Sequence, residues 1–174
     1  MASTQDLIQQ AAQLAFAYER DYGGCAQCVL AAIRNSAGGI SDDVFLAATG
    51  LAGGVGLHGR ACGALTGGTM AISSYCGRDY AHFNDPEGRR FITLRLCGKL
   101  VDKFGREFGS PDCFDIQLKL MGRWFNLADP IEKAAFLSAG GHEDKCTAVC
   151  AKAAQWVLEI LDEEGLLKNH SHAG

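Results

Sequence analysis

Eight cysteines offer this chain more chemistry than any other of its side chains, because a thiolate can attack, exchange a disulfide or ligate a soft metal. Their spacing sorts them. Cys25 and Cys28 are three apart and Cys146 and Cys150 four apart, so each pair shares one face of a helix. Cys62 sits in a glycine-rich stretch, and Cys113 stands alone after a proline turn. Cys76 lies fourteen residues beyond Cys62. At 1.5 Å rise per residue that is about 21 Å along a helix, too far for the two to serve one site. Cys97 falls on an apolar stripe with Leu94, Val101, Phe104 and Phe108 and reads as a small core hydrophobe. Six thiols on four segments remain: Cys25 with Cys28, Cys62, Cys113, and Cys146 with Cys150. Facing helices build metal and cofactor sites by projecting ligands inward, so such a set can form one site if the segments meet.

The stretch from Gly50 to Gly67 packs seven glycines around Cys62. Glycine is costly in entropy and is used where backbone takes positive φ or passes close to something else. After Cys62 apolar residues recur at helical spacing, through Leu65, Ile72 and Cys76, which places Cys62 at a helix N-terminus. Unpaired N–H groups there favour negative charge and are expected to lower the thiol pKa, so Cys62 is the candidate nucleophile. The same stretch contains G-x-G-x-x-G at Gly54, Gly56 and Gly59, with Asp79 twenty residues on. A dinucleotide site requires a parallel sheet around that motif, and the chain offers no strands to build one. The amides of Gly54, Gly56, Gly59 and Gly63 can still form an anion-binding concavity for a phosphate, a carboxylate or a cluster sulfide, with His58 and Arg60 adding charge.

Start and stop signals organise the remainder into helices. Ser3 or Thr4 caps a first helix with Leu7, Ala11, Leu14 and Tyr18 inward, ending at Gly23-Gly24. A second carries Cys25 to Ile33 and stops near Gly38, a third runs from Asp42 to about Thr49 behind Ser41, and a fourth runs from Cys62 to about Cys76. Asp85-Pro86-Glu87 opens a fifth, which continues to Gly109, and Ser110-Pro111-Asp112 opens a short one bearing Cys113. Asp129-Pro130-Ile131-Glu132 repeats the start signal, with Glu132 placed to close a capping box. The last helix runs from about Glu143 to Glu164, and Lys168 to Gly174 reads as a loose tail. No segment alternates with period two, so the expected fold is an all-α single domain, a bundle of six to eight helices with a glycine-rich loop leading into a central helix.

Composition sets the outer bounds. Hydrophobic residues are 48% and charged residues 21%, which is globular. A net charge of −4 without a basic cluster argues against nucleic acid as a partner. The N-terminus has no signal-peptide pattern and no apolar run could span a bilayer, so the expected address is cytoplasmic, without membrane insertion. Cysteines in that setting favour metal or redox chemistry over a disulfide framework. Apolar helix faces leave room for a homodimer.

With these residues in view, the chain resembles the C-GCAxxG-C-C family, small prokaryotic redox-active proteins marked by four separated cysteines. The matching pieces are G-C-A-Q-C-V-L at Gly24 to Leu30, C-G-A-L-T-G at Cys62 to Gly67, F-G-S-P-D-C ending at Cys113, and Lys145-Cys146. The family label orders its second motif Gly-Cys-Ala, whereas this chain reads Cys62-Gly63-Ala64. The resemblance implies that Cys25, Cys62, Cys113 and Cys146 are the functional thiols, with Cys28 and Cys150 as additions that enlarge the site or pack. The family is also similar to a domain of split-Soret-type cytochromes, which bind haem and an iron–sulfur centre. C-A-Q-C is followed by Val29 and not histidine, so only the iron–sulfur half carries over.

Three functions follow as expectations. The first is an electron-transfer or redox-sensing protein holding an iron–sulfur cluster through those four thiolates, with glycine amides near Cys62 tuning its potential. The second is a metal-free thiol–disulfide oxidoreductase in which Cys62 attacks and another cysteine resolves, its partner a redox protein or a small thiol. The third is a structural zinc site or helical binding module, for which the close-spaced pairs would be the ligands.

Overall fold

The computed structural model describes residues 3–167, so the expected loose tail lies outside the described residues. Eight α-helices account for the architecture: α1 (Thr4–Asp21), α2 (Cys25–Ala37), α3 (Asp42–Ala47), α4 (Gly63–Cys76), α5 (Arg89–Phe108), α6 (Cys113–Met121), α7 (Pro130–Ser138) and α8 (Cys146–Glu163). A 3-10 turn at Thr49–Leu51 follows α3, and a π turn at Gly141–Lys145 leads into α8. Among the described residues the only β pairing is a single antiparallel bridge, Ala61 with Asp112. The expected all-α bundle is the observed fold. No helix of the described residues is long and apolar enough to cross a membrane.

Most sequence signals act where they fall. Ser3 caps α1 in a full capping box with Asp6, and Ser41 caps α3. Two starts differ. Asp85 takes positive φ and turns the chain, so α5 begins four residues later, at Arg89, with the Asp85 carboxylate accepting from the N–H groups of Arg89 and Arg90 at 2.9 and 3.1 Å. Asp129 caps α7 alone, because Glu132 reaches out to Arg123 at 2.8 Å instead of back to the cap.

α8 is the axis, packed against α1, α2, α4 and α5. Its buried face carries Val149, Cys150, Ala153, Val157, Ile160 and Leu161. Leu30 and Ile33 of α2, Ile72 of α4, and Leu96, Leu100 and Phe104 of α5 complete one continuous core with it. The α5 stripe is phased differently from the sequence reading. Thr93, Leu96, Leu100, Phe104 and Phe108 face inward, while Leu94 and Val101 are exposed. Thr93 takes a core position because its hydroxyl donates to the carbonyls of Cys76 and Arg89, both at 2.9 Å, which satisfies it without water. Cys97 is consequently half-buried at the edge of the stripe, its Sγ 3.8 Å from the Thr69 carbonyl.

α1 shows the same displacement. Its fully buried positions are Ile8, Ala11, Ala15 and Glu19, while Leu14 and Tyr18 pack against the core partly buried. Small residues bring α2 and α4 into close contact. A methyl group at Gly67 would overlap the Ala26 carbonyl oxygen and stand 2.8 Å from the Ala26 Cα. Gly67→Ala should therefore lower stability by about 2 kcal/mol, overpacking outweighing the gain in helix propensity. A lowered midpoint in urea unfolding checks this, and a raised one would refute the close approach.

Candidate functional site: a cavity where helices begin at cysteines

Four helices start at or beside a cysteine. Cys25, Cys113 and Cys146 are the first residues of α2, α6 and α8, and Cys62 is the N-cap of α4. These cysteines, with Cys150 one turn into α8, border one cavity of about 190 Å³. Remote parts of the chain thus bring their thiols to a common space. Local structure fixes the approach. The Ala61–Asp112 bridge is flanked by Cys62 N–H donating to Pro111 O at 2.9 Å and Cys113 N–H donating to Arg60 O at 2.8 Å, which ties the starts of α4 and α6 together. A methyl group at Gly63 would overlap Cys25 Sγ, so the absence of a side chain there admits that thiol against the α4 N-terminus.

Backbone amides converge on the sulfurs. The N–H of Gly53 approaches the Cys25 thiol, and those of Ala64 and Leu65 approach Cys62. Gln117 Nε2 donates to Cys113 Sγ at 3.4 Å and is itself held by Phe125 N–H donating to its Oε1 at 3.0 Å. The wall between these groups is apolar, from Leu57, Leu127, Phe136 and Val149. Leu57 and its neighbour Val55 hold left-handed φ of 68° and 59°, strain concentrated in the loop that closes one side of the cavity.

The expectation of a lowered Cys62 pKa is corrected. Burial pushes the thiol up to about 12, with a further rise from Cys113, and the amides of Leu65 and Ala64 only moderate it. Burial likewise holds Cys25, Cys146 and Cys150 well above the ordinary thiol range and raises Cys113. The helix N-termini favour charge, but without a cation the low-dielectric wall penalises it more.

The other candidates fall elsewhere. Gly54, Gly56 and Gly59 do not border the cavity. The amides of Gly56 and Gly59 donate to Gly50 O and Gly53 O within the loop, so they are spent on its own fold, and Gly54 packs on the backbone of Arg60. His58 and Arg60 are exposed, and the His58 ring contacts its own loop at Gly56 O. Cys28 is buried behind the cavity wall with its thiol donating to Gly23 O at 3.1 Å. Cys150 reaches the cavity, with its thiol 3.9 Å from Cys25 O and beside Glu19. Cys76 is buried against Thr93, far along α4. Among the described residues no three His, Cys, Asp or Glu side chains stand close enough around one point to hold a single metal ion.

Sequence reasoning missed Glu19, His142 and Gln117, all of which border the cavity. Glu19 is 3% exposed on the core face of α1. Its Oε1 lies 3.4 Å from His142 Nε2, and its Oε2 has no hydrogen-bond partner. Burial raises its carboxyl to about 7, against a smaller opposing pull from the Cys28 and Cys150 thiols beside it. Burial also lowers the His142 pKa, with Lys133 adding to the effect. Burial acts against charge on both groups, toward the protonated carboxyl of Glu19 and the neutral imidazole of His142.

An all-helical protein with a buried polythiol cavity is the class that this fold and site define. A family model described as "putative redox-active protein (C_GCAxxG_C_C)" matches residues 24–160, and the chain belongs to that family. No curated protein and no solved structure matches it.

Glu19 gives a signed pH dependence for the reduced, metal-free protein. Its folded pKa is raised above that of the unfolded chain, so the folded state holds the proton longer. Stability contributed by Glu19 is then complete below about pH 4.5 and is lost as pH rises to about 7, by about 3 kcal/mol. His142 acts in the opposite sense over part of that range, because its folded pKa is depressed. The difference between wild type and Glu19→Gln in urea melts isolates the carboxyl. That difference should widen from pH 4.5 to 7, and a constant difference would contradict the assignment.

Proposed function

We propose that Cys25, Cys62, Cys113 and Cys146 together hold an iron–sulfur cluster and that the protein transfers or senses electrons through it. The observation that carries this reading is the meeting of four helix starts, each with its cysteine, around one cavity. Helix N-termini place partial positive charge where an anionic centre would sit. The donor set is purely soft sulfur, which selects iron–sulfur clusters, zinc or Cu(I). The size of the cavity favours the larger of these. One water needs about 10–15 Å³ of such space, and this cavity has about 190 Å³. A zinc site needs four donors about 2.3 Å from a common point, and no three donors among the described residues are so arranged.

The residues divide the work. The four thiolates would be the ligands, and Cys28 and Cys150, whose thiols turn to backbone carbonyls, pack around them. The amides of Gly53, Ala64 and Leu65 would stabilise charge on sulfur and raise the potential. The apolar wall excludes water and protects the centre. When bound, such a cluster supplies one-electron transfer. A thiol raised by burial is a poor nucleophile, which weighs against Cys62 as an attacking thiolate, whereas coordination deprotonates a buried thiol outright.

Protein purified without oxygen should contain iron and acid-labile sulfide and absorb broadly in the visible. Cys62→Ser should abolish both, while Cys97→Ala should retain them and lose about 1 kcal/mol of packing. Colourless protein containing zinc, or equal tolerance of the two substitutions, would overturn the reading.

A further inference from the structure

Among the described residues Glu19 is the one buried carboxyl, and nothing in the ligand set proposed above uses it. The groups that face it come from every element around the cavity. Cys25 and Cys28 stand on α2, Cys62 at the α4 cap, Cys113 on α6, Cys146 and Cys150 on α8, and His142 in the π turn. The cation of α7, Lys133, acts on His142 and is not among the groups that shift Glu19. An ionised carboxylate buried without a cation costs several kcal/mol. Its thiol neighbours Cys28 and Cys150 offer weak donors, and Oε2 is left unbonded while bordering the cavity. The carboxyl is thus poorly built as a packing or pairing group and well built as a place where a proton can rest.

The other oxygen faces a partly exposed imidazole. His142 Nε2 lies 3.4 Å from Oε1, and the His142 side chain is 30% exposed. The ring stands edge-on to Phe136, with centroids 5.3 Å apart, and against the backbone at Gly23, so two contacts hold it beside the carboxyl. The π turn that carries it is an uncommon form, frequent at functional sites.

We propose that Glu19 is the proton acceptor for the redox change in this cavity, with His142 as its connection to water. One electron arrives from an external one-electron donor protein. One proton passes from water through His142 to Glu19, so the buried charge of the site is unchanged. This rests on the reading of the cavity as a thiolate-held redox centre. Burial alone carries the carboxyl to about 7, and negative charge added in the cavity raises its proton affinity further. Uptake therefore belongs to neutral and higher pH.

The test is the midpoint potential of the anaerobic, cluster-containing protein as a function of pH. Above neutrality it should fall by about 59 mV per pH unit, the one-electron equivalent of a tenfold change in proton activity. Glu19→Gln should flatten the dependence, and Glu19→Asp should retain a slope. Infrared titration of the metal-free protein supplies a readout independent of the cluster. A protonated-carboxyl band should disappear through about pH 7 in wild type and be missing in Glu19→Gln. A potential independent of pH in wild type, a slope surviving in folded Glu19→Gln, or no such carboxyl band overturns the role of Glu19 alone. A wild-type chain that takes up no iron–sulfur centre overturns the underlying reading, and this proposal with it.

Discussion

Helix N-termini attract negative charge and a dry wall repels it, and the cavity sets these two effects against each other at the same sulfur atoms. α2, α4, α6 and α8 each bring a helix start and a cysteine to the same space. In the neutral protein burial prevails, so the Cys62 thiol stands near 12 despite the amides of Ala64 and Leu65. A cation placed there would reverse the balance, because metal and helix N-terminus would both stabilise a negative thiolate.

The remainder of the architecture serves that meeting point. Gly67 lets α2 and α4 close to backbone contact, and Gly63 admits the Cys25 thiol beside the α4 start. The short Ala61–Asp112 bridge fixes Cys62 beside Cys113 without a sheet. At the far side, surface pairs such as Arg95 with Glu164 and Lys103 with Glu159 join α5 to α8 and its C-terminal end, but water-accessible pairs of this kind add little stability. The core of Leu30, Ile72, Leu100, Phe104 and Leu158 does the holding.

Much of this was legible in the sequence because caps and breakers act locally. Ser3, Ser41, Asp129 and the glycine pairs mark helix ends by chemistry confined to a few residues, and the structure follows them. Helix spacing also separated Cys76 from Cys62 without any tertiary information. What spacing could not supply was phase. In α1 and α5 the buried face includes Glu19 and Thr93, polar residues that a rule built on apolar recurrence assigns to water, so the predicted stripes held at Ala11, Phe104 and Phe108 and slipped by one position elsewhere. Thr93 is explained by its hydrogen bonds, whereas Glu19 is a carboxyl buried against local preference, the kind of conflict that gathers at functional sites. The glycine loop was misread for a related reason. Gly56 and Gly59 spend their amides on the loop itself, and Gly53, outside the G-x-G-x-x-G pattern, turns its amide to a thiol.

Iron K-edge X-ray absorption on oxygen-protected protein tests the central claim most directly, because it reports the atoms around the metal. The account predicts a first shell of sulfur alone and a short iron–iron vector, both lost together when the cysteines at the starts of α2, α4, α6 and α8 are replaced by serine. A first shell of nitrogen and oxygen, or a sulfur shell that survives those replacements, would contradict it.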